Sequence, residues 1–89
     1  LDVVGGSNHI DRMTQPPEIY LERKDPQRNM ARFYTMRLLP TLFGDIALIR
    51  SWGRLGTRGK TLIHHLATEA EALSLMHELL CQKERRGYI

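Results

Sequence analysis

A single amphipathic helix, predicted near the end of the chain, is the feature that most constrains the fold. The run Ala67-Thr68-Glu69-Ala70-Glu71-Ala72 opens it. Thr68 can cap the amide of Glu71 while Glu71 reaches back, and two acids in the first turn suit the positive end of the helix dipole. Ala72, Leu73, Met76, Leu79 and Leu80 then recur at three- and four-residue spacing. That apolar stripe needs a sheet to cover. Lys83, Arg85 and Arg86 crowd the last turn, and Gly87 is placed to adopt the left-handed conformation that ends a helix, so that Tyr88 can fold back onto it.

The sheet is legible upstream. Ile19, Leu21 and Arg23 alternate with Tyr20, Glu22 and Lys24 until Asp25-Pro26 breaks the run. Residues 27–30 read as a loop and 31–39 as a second strand, with Phe33, Thr35 and Leu39 on one side and Arg32, Tyr34, Met36 and Leu38 on the other. A turn around Gly44, a third strand over 46–52, a glycine-rich hairpin over 53–59 and a fourth strand over 60–66 complete the set. Four sequential strands with short connections imply an antiparallel meander, and the expected fold is α+β, one antiparallel sheet with its main helix packed across one face. Residues 1–17 lack apolar periodicity and end in Gln15-Pro16-Pro17, which reads as a flexible lead-in to a domain over 18–89; Met13 is a candidate natural start.

At 89 residues there is room for one core. Cys81 is the sole cysteine, so neither an internal disulfide nor a cysteine-based zinc site can be assembled, and a reducing cytoplasm is the expected location. No apolar run approaches the roughly 20 residues of a membrane span, and no signal peptide is read. Between residues 18 and 65 nine Lys/Arg face four acids, so the strand-rich middle carries a surplus of positive charge that favours an anionic partner.

Residues 50–60 concentrate the chemistry. In a strand, Arg50, Trp52 and Arg54 project to one side, placing the only indole between two guanidiniums. Gly53, Gly56 and Gly59 let the backbone approach a ligand closely, and Arg54, Arg58 and Lys60 add charge. An indole offers a flat face to a sugar or base, and arginine forks onto two phosphate oxygens. Equally, Trp52 can be a packing residue, Arg54 can pair internally with Asp45 or a helix acid, and Arg50, Arg58, Lys60 and Arg32 can be solvated or position phosphates. Gly59-Lys60-Thr61 resembles the end of a nucleotide-binding P-loop, but Arg54 stands where that motif needs its first glycine and a strand follows instead of a helix. His64 and His65 point to opposite faces of a strand and cannot share a metal. His77 and Cys81 are neighbours on the helix with no third group to orient them, and Cys81 is expected as a buried structural thiol. Phe33 is expected in the core, while Tyr34 is left open. No acid, base and nucleophile constellation appears, so the chain reads as non-enzymatic and without a cofactor.

Leu21-Glu22-Arg23, Asn29 with Phe33-Tyr34, Gly44, Trp52-Gly53-Arg54 with Gly56 and Gly59, and the helix start at 67–72 together resemble a WGR domain, across residues 19–88. That family occurs as one module within poly(ADP-ribose) polymerases and in small bacterial proteins. In the polymerases it reads DNA breaks, its tryptophan against the sugar at a 5′ end and its arginine joining contacts to DNA and neighbouring domains. The resemblance implies Trp52, Gly53 and Arg54 at the centre of a nucleic-acid site, with Asn29 on the same face. Arg50, Arg58, Lys60 and Arg32 would supply surrounding charge. The expectation is a monomeric, non-catalytic module that binds nucleic acid, DNA favoured, at ends or nicks through this hairpin and a basic sheet face. The alternative is a protein-interaction module that docks a partner and never touches nucleic acid.

Overall fold

A computed structural model describes residues 17–89; residues 1–16, including Met13 and most of the expected lead-in, lie outside the described residues. The order is β1 (Glu18–Asp25), a 3-10 turn (Pro26–Arg28), β2 (Met30–Pro40), β3 (Ile46–Arg54), β4 (Lys60–Leu66) and α1 (Glu69–Arg85). The strands form one antiparallel sheet in chain order β1-β2-β3-β4, the expected meander with one C-terminal helix. Pro17 already takes part in it, its carbonyl accepting from the Leu38 amide at 3.2 Å.

Register decides which side chains meet. Leu21 lies opposite Tyr34, Tyr34 opposite Trp52, Met36 opposite Arg50 and Leu38 opposite Leu48. Because strand side chains alternate, these share one face, and α1 covers it with Ala72 and Met76. Tyr34, Met36 and Leu48 are fully buried. Phe33, expected in the core, is instead half-buried on the opposite face, and Tyr34 is the core aromatic. Both sides of β2 carry large apolar residues, so period-two alternation could not choose between them; the helix did. Phe33 lies opposite Gly53 and beside Gly59, where an aromatic ring supplies the cover that two glycines lack.

The helix begins as its sequence implies, with the Thr68 hydroxyl accepting from the Glu71 amide at 3.2 Å. Its stripe is rotated from expectation. Leu73 is 43% exposed, and Leu75 packs on the core with Leu79 and Leu80. At about 100° per residue, position 75 lies nearer the line through 72, 76 and 79 than position 73 does. Cys81 is likewise half-buried rather than sealed, its Sγ 3.6 Å from His77 Nε2. The C-terminus closes in a Schellman motif: Tyr88 N–H donates to Lys83 C=O at 3.1 Å and Gly87 N–H to Glu84 C=O at 3.0 Å, with Gly87 at φ +97°. This reversal drives Tyr88 back under the sheet, 6% exposed and edge-on to Tyr34 at 6.2 Å. Ile89 then exchanges two backbone hydrogen bonds with Glu22 of β1, at 2.8 and 2.9 Å. Among the described residues, no helix is long and apolar enough to cross a membrane.

Candidate nucleic-acid interface

The helix ends before the sheet does. Beyond the Tyr34 row, the next in-register positions on the covered face are Arg23, Arg32 and Arg54, directly opposite one another on β1, β2 and β3. Like charges facing across strands are destabilising. No acid lies within 4 Å of any of the three among the described residues.

Around this row lies a cavity of about 670 Å³. Its walls carry six cations, Arg23, Arg28, Arg32, Arg54, Lys83 and Arg86, and no acid. Trp52, Gly53, Asn29, Met30 and Tyr88 complete it. Of the six, Arg28 alone has a carboxylate partner among the described residues, Asp25 at 3.5 Å.

Each central side chain is held by a local device. Asn29 follows the 3-10 turn in the left-handed region, φ 53°, its amide donating to Pro26 C=O at 3.1 Å. Asparagine tolerates that conformation better than other non-glycine residues. The bend turns Asn29 toward Arg54, whose guanidinium donates to the Asn29 carbonyl at 3.2 Å and to its side-chain oxygen at 3.4 Å. Arg54 is thereby oriented by a neutral partner and keeps its charge uncompensated. Asp45, the internal partner weighed from sequence, sits at the other end of β3, tied to Thr41 and to His65 at 3.3 Å. Trp52 is half-buried, one side packed against the core and the rest on the cavity wall. Arg50 lies over its ring at 5.4 Å and donates from Nε to His64 Nε2 at 3.1 Å.

The hairpin that carries Trp52 depends on two glycines passing at contact. A Cβ on Gly53 would lie 2.6 Å from Gly59 Cα, and one on Gly59, at φ +70°, would run into the Trp52 carbonyl. Thr57 closes the loop, its amide and hydroxyl both donating to Arg54 C=O at 3.1 and 2.8 Å.

Lys83 is the cation in the least comfortable position. Its ammonium lies 4.6 Å from the Tyr34 ring centre and 5.3 Å from that of Tyr88. Burial first, then the charges of Arg86, Arg50 and Arg32, hold its pKa below the ordinary lysine range. Ring faces attract a cation, whereas desolvation and the three guanidiniums oppose its charge.

The structure therefore brings Asn29, Arg32, Trp52, Gly53 and Arg54 to one cavity. Arg50 stands over the indole outside the lining, and Arg58 and Lys60 are exposed on the hairpin, also outside it. Sequence reasoning missed Arg23, Arg28, Met30, Lys83, Arg86 and Tyr88. Lys83 and Arg86 were accounted for by the helix dipole, and nothing local joins them to the hairpin. The cations of the cavity collect at the hairpin end of the helix-covered face, while the open face carries Lys24 and Arg37 together with Tyr20, Phe33, Leu39, Ile49 and Ile63. His64 and His65 serve separate partners, and among the described residues no group of three His, Cys, Asp or Glu could hold a metal.

The chain is 51% identical over 89 residues to a protein of Sinorhizobium fredii (strain NBRC 101917 / NGR234) described as uncharacterized protein y4dW. That likeness covers 99% of the chain but 44% of the relative, so the chain spans less than half the relative's length. It also reaches into the segment before residue 18. No solved structure matches. Neither comparison indicates a catalytic family. A family model for the WGR domain matches residues 18–89, from the first strand through the helix and its closing turn. Because that match takes in the whole described sheet, the hairpin with its tryptophan and the helix end facing it, the chain belongs to the WGR domain family, generally a nucleic-acid-binding module.

Proposed function

We propose that this chain is a non-catalytic module that grips the sugar-phosphate backbone of DNA at an end or a nick. Trp52 lies against a terminal sugar or base, and Arg54, pre-aimed by Asn29, takes phosphate oxygens. Arg32 and Arg23 add charge from the neighbouring strands. The observation that carries this reading is the arginine row Arg23, Arg32 and Arg54, which has no acid partner among the described residues and stands beside the only indole of the sequence. An end or nick exposes a sugar face that a continuous duplex keeps stacked, and an indole on a cavity wall can cover it. Phosphate contacts of this kind position a strand without reading its sequence.

Trp52 emission reports the event directly. Titration with a short duplex should change it, and affinity should fall steeply as salt rises, because each neutralised phosphate releases counterions. Trp52→Ala, followed with labelled DNA, should lose about 1–3 kcal/mol of binding. Binding unchanged between low and high salt, or unchanged in Trp52→Ala, overturns the reading. A covalently closed duplex that binds as well as a nicked one would remove the preference for ends and nicks.

The protein-docking alternative has an observation of its own. Leu42 and Phe43, 100% and 94% exposed, stand at the β2–β3 turn, the opposite end of the sheet from the cavity. A partner retained after nuclease treatment and lost on Phe43→Ser would favour it.

A further inference from the structure

We propose that the cavity also receives the phosphate chain of a free nucleoside polyphosphate, with Lys83, Arg86 and Arg23 forming a subsite on the helix side that the Trp-Gly-Arg hairpin does not supply. The inference rests on reading the cavity as phosphate-binding and goes beyond it in naming a compact, soluble ligand.

Charge density is the first argument. A backbone phosphate carries one negative charge, and successive phosphates along a strand are spread out. A terminal phosphoryl group carries up to about two. Here six cations line a single cavity of about 670 Å³, within the range of small-molecule sites, and five of them have no carboxylate partner among the described residues. A chain of two or three linked phosphoryl groups concentrates the most negative charge in the least length. The indole of Trp52 on the same wall offers a stacking surface for the base.

Placement is the second. Arg23 on β1 lies against the helix-ending glycine, its Nε 3.4 Å from where a Gly87 Cβ would stand. Lys83 comes from the last turn of α1 and Arg86 from the residue just after it, and both line the cavity with Arg32 and Arg54 of the sheet. The Lys83 ammonium rests over two tyrosine rings, and among the described residues no carboxylate lies within 4 Å of it. Its lowered pKa agrees, desolvation leading and Arg86, Arg50 and Arg32 following. The groups facing it are thus arginines, with Arg23, Arg28 and Arg54 lining the same cavity, and the two tyrosines Tyr34 and Tyr88. A polyphosphate would reverse that field and restore the proton at alkaline pH. No hydrolysis is implied.

The test titrates the protein with a nucleoside triphosphate, inorganic pyrophosphate and the unphosphorylated nucleoside, following Trp52 emission and displacement of a labelled duplex bearing 5′-hydroxyl ends. The triphosphate should bind and displace the duplex; pyrophosphate should bind without the emission change of base stacking, and the nucleoside should not bind. Lys83→Gln should weaken the triphosphate about tenfold, as for loss of a charged hydrogen bond, and Lys83→Arg should recover most of it. Calorimetry near pH 10, in buffers of different ionisation heat, should show proton uptake in the wild type and less in Lys83→Gln. If Lys83→Gln fails to fold by its melting curve, Arg86→Gln is read for affinity instead. Duplex binding without displacement by triphosphate overturns this inference and leaves the DNA-binding reading standing; binding of neither overturns both. Equal weakening by Arg58→Gln, which lies outside the cavity, would show a diffuse pool of charge and overturn the subsite.

Discussion

At the scale of single residues, two of the hairpin glycines separate what a backbone angle demands from what contact demands. Gly56 (φ +88°) has open space where a Cβ would go, whereas Gly59 (φ +70°) has the Trp52 carbonyl there and Phe33 beside it. Gly56→Ala should therefore lose only the left-handed preference, about 1–2 kcal/mol. Gly59→Ala carries that loss and must also push β3 away from β4 at Trp52, so its thermal midpoint should fall further. Melting curves of the two variants check the order, and equal midpoints would mean that the close pass does not hold the indole. Asn29 shows the same economy of parts: one residue ends the 3-10 turn and aims Arg54 through two acceptors. Its neutrality matters, since an aspartate there would neutralise the guanidinium it now only orients.

Among the elements, the helix start and the β2–β3 turn are stabilised locally and can be tested apart from the cavity. The Thr68 hydroxyl satisfies an otherwise orphaned amide, so Thr68→Ala should remove about 1 kcal/mol and lower the midpoint by about 4–8 °C. Calorimetry measures this directly. In the turn, Asp45 has its pKa lowered from the ordinary 3.8, first by the Thr41 hydroxyl and, against the opposing effect of desolvation, with help from its own backbone and from His65. A lowered carboxylate contributes stability that is present above pH 3.8 and is lost as pH falls through the folded-state value. Thr41→Ala should raise the Asp45 midpoint toward 3.8 in a carboxyl NMR titration and shrink the acid-side loss. An unmoved midpoint would assign the effect to the backbone or His65. That turn holds Leu42 and Phe43 out in water on an ordered support, with Thr41 N–H donating to Asp45 C=O at 3.0 Å and Phe43 N–H to Thr41 Oγ1 at 3.1 Å.

Across the whole molecule, the cavity is where elements distant in sequence bring like charges together. Lys83 of α1 is opposed by Arg86 beyond the same helix, Arg50 of β3 and Arg32 of β2. A lysine whose pKa is lowered on folding loses stability while charged and regains it as pH rises through the folded value toward 10.5, because the unfolded chain then binds more protons. Lys83→Gln should therefore be more stable than the wild type near neutral pH at low salt, by a margin that narrows as pH climbs through that window. Denaturant midpoints across pH measure it, and a margin that does not change with pH would mean the lysine is not under strain. Much of the architecture was legible beforehand. Strand alternation, turn residues and the capped helix each act over a few neighbours, and they determined the α+β meander and the left-handed close at Gly87. The placement of Arg50, Trp52 and Arg54 on one strand face followed from the same local rule. Which face of β2 is buried, how far the helix stripe is rotated and which cations share a cavity were decided only by the tertiary structure. Those depend on cross-strand register and on where the helix stops along the sheet: Arg23, Arg32 and Arg54 are separated along the chain yet adjacent across it, and Lys83 and Arg86 join them in one cavity at the end of α1, where the Schellman turn closes the helix.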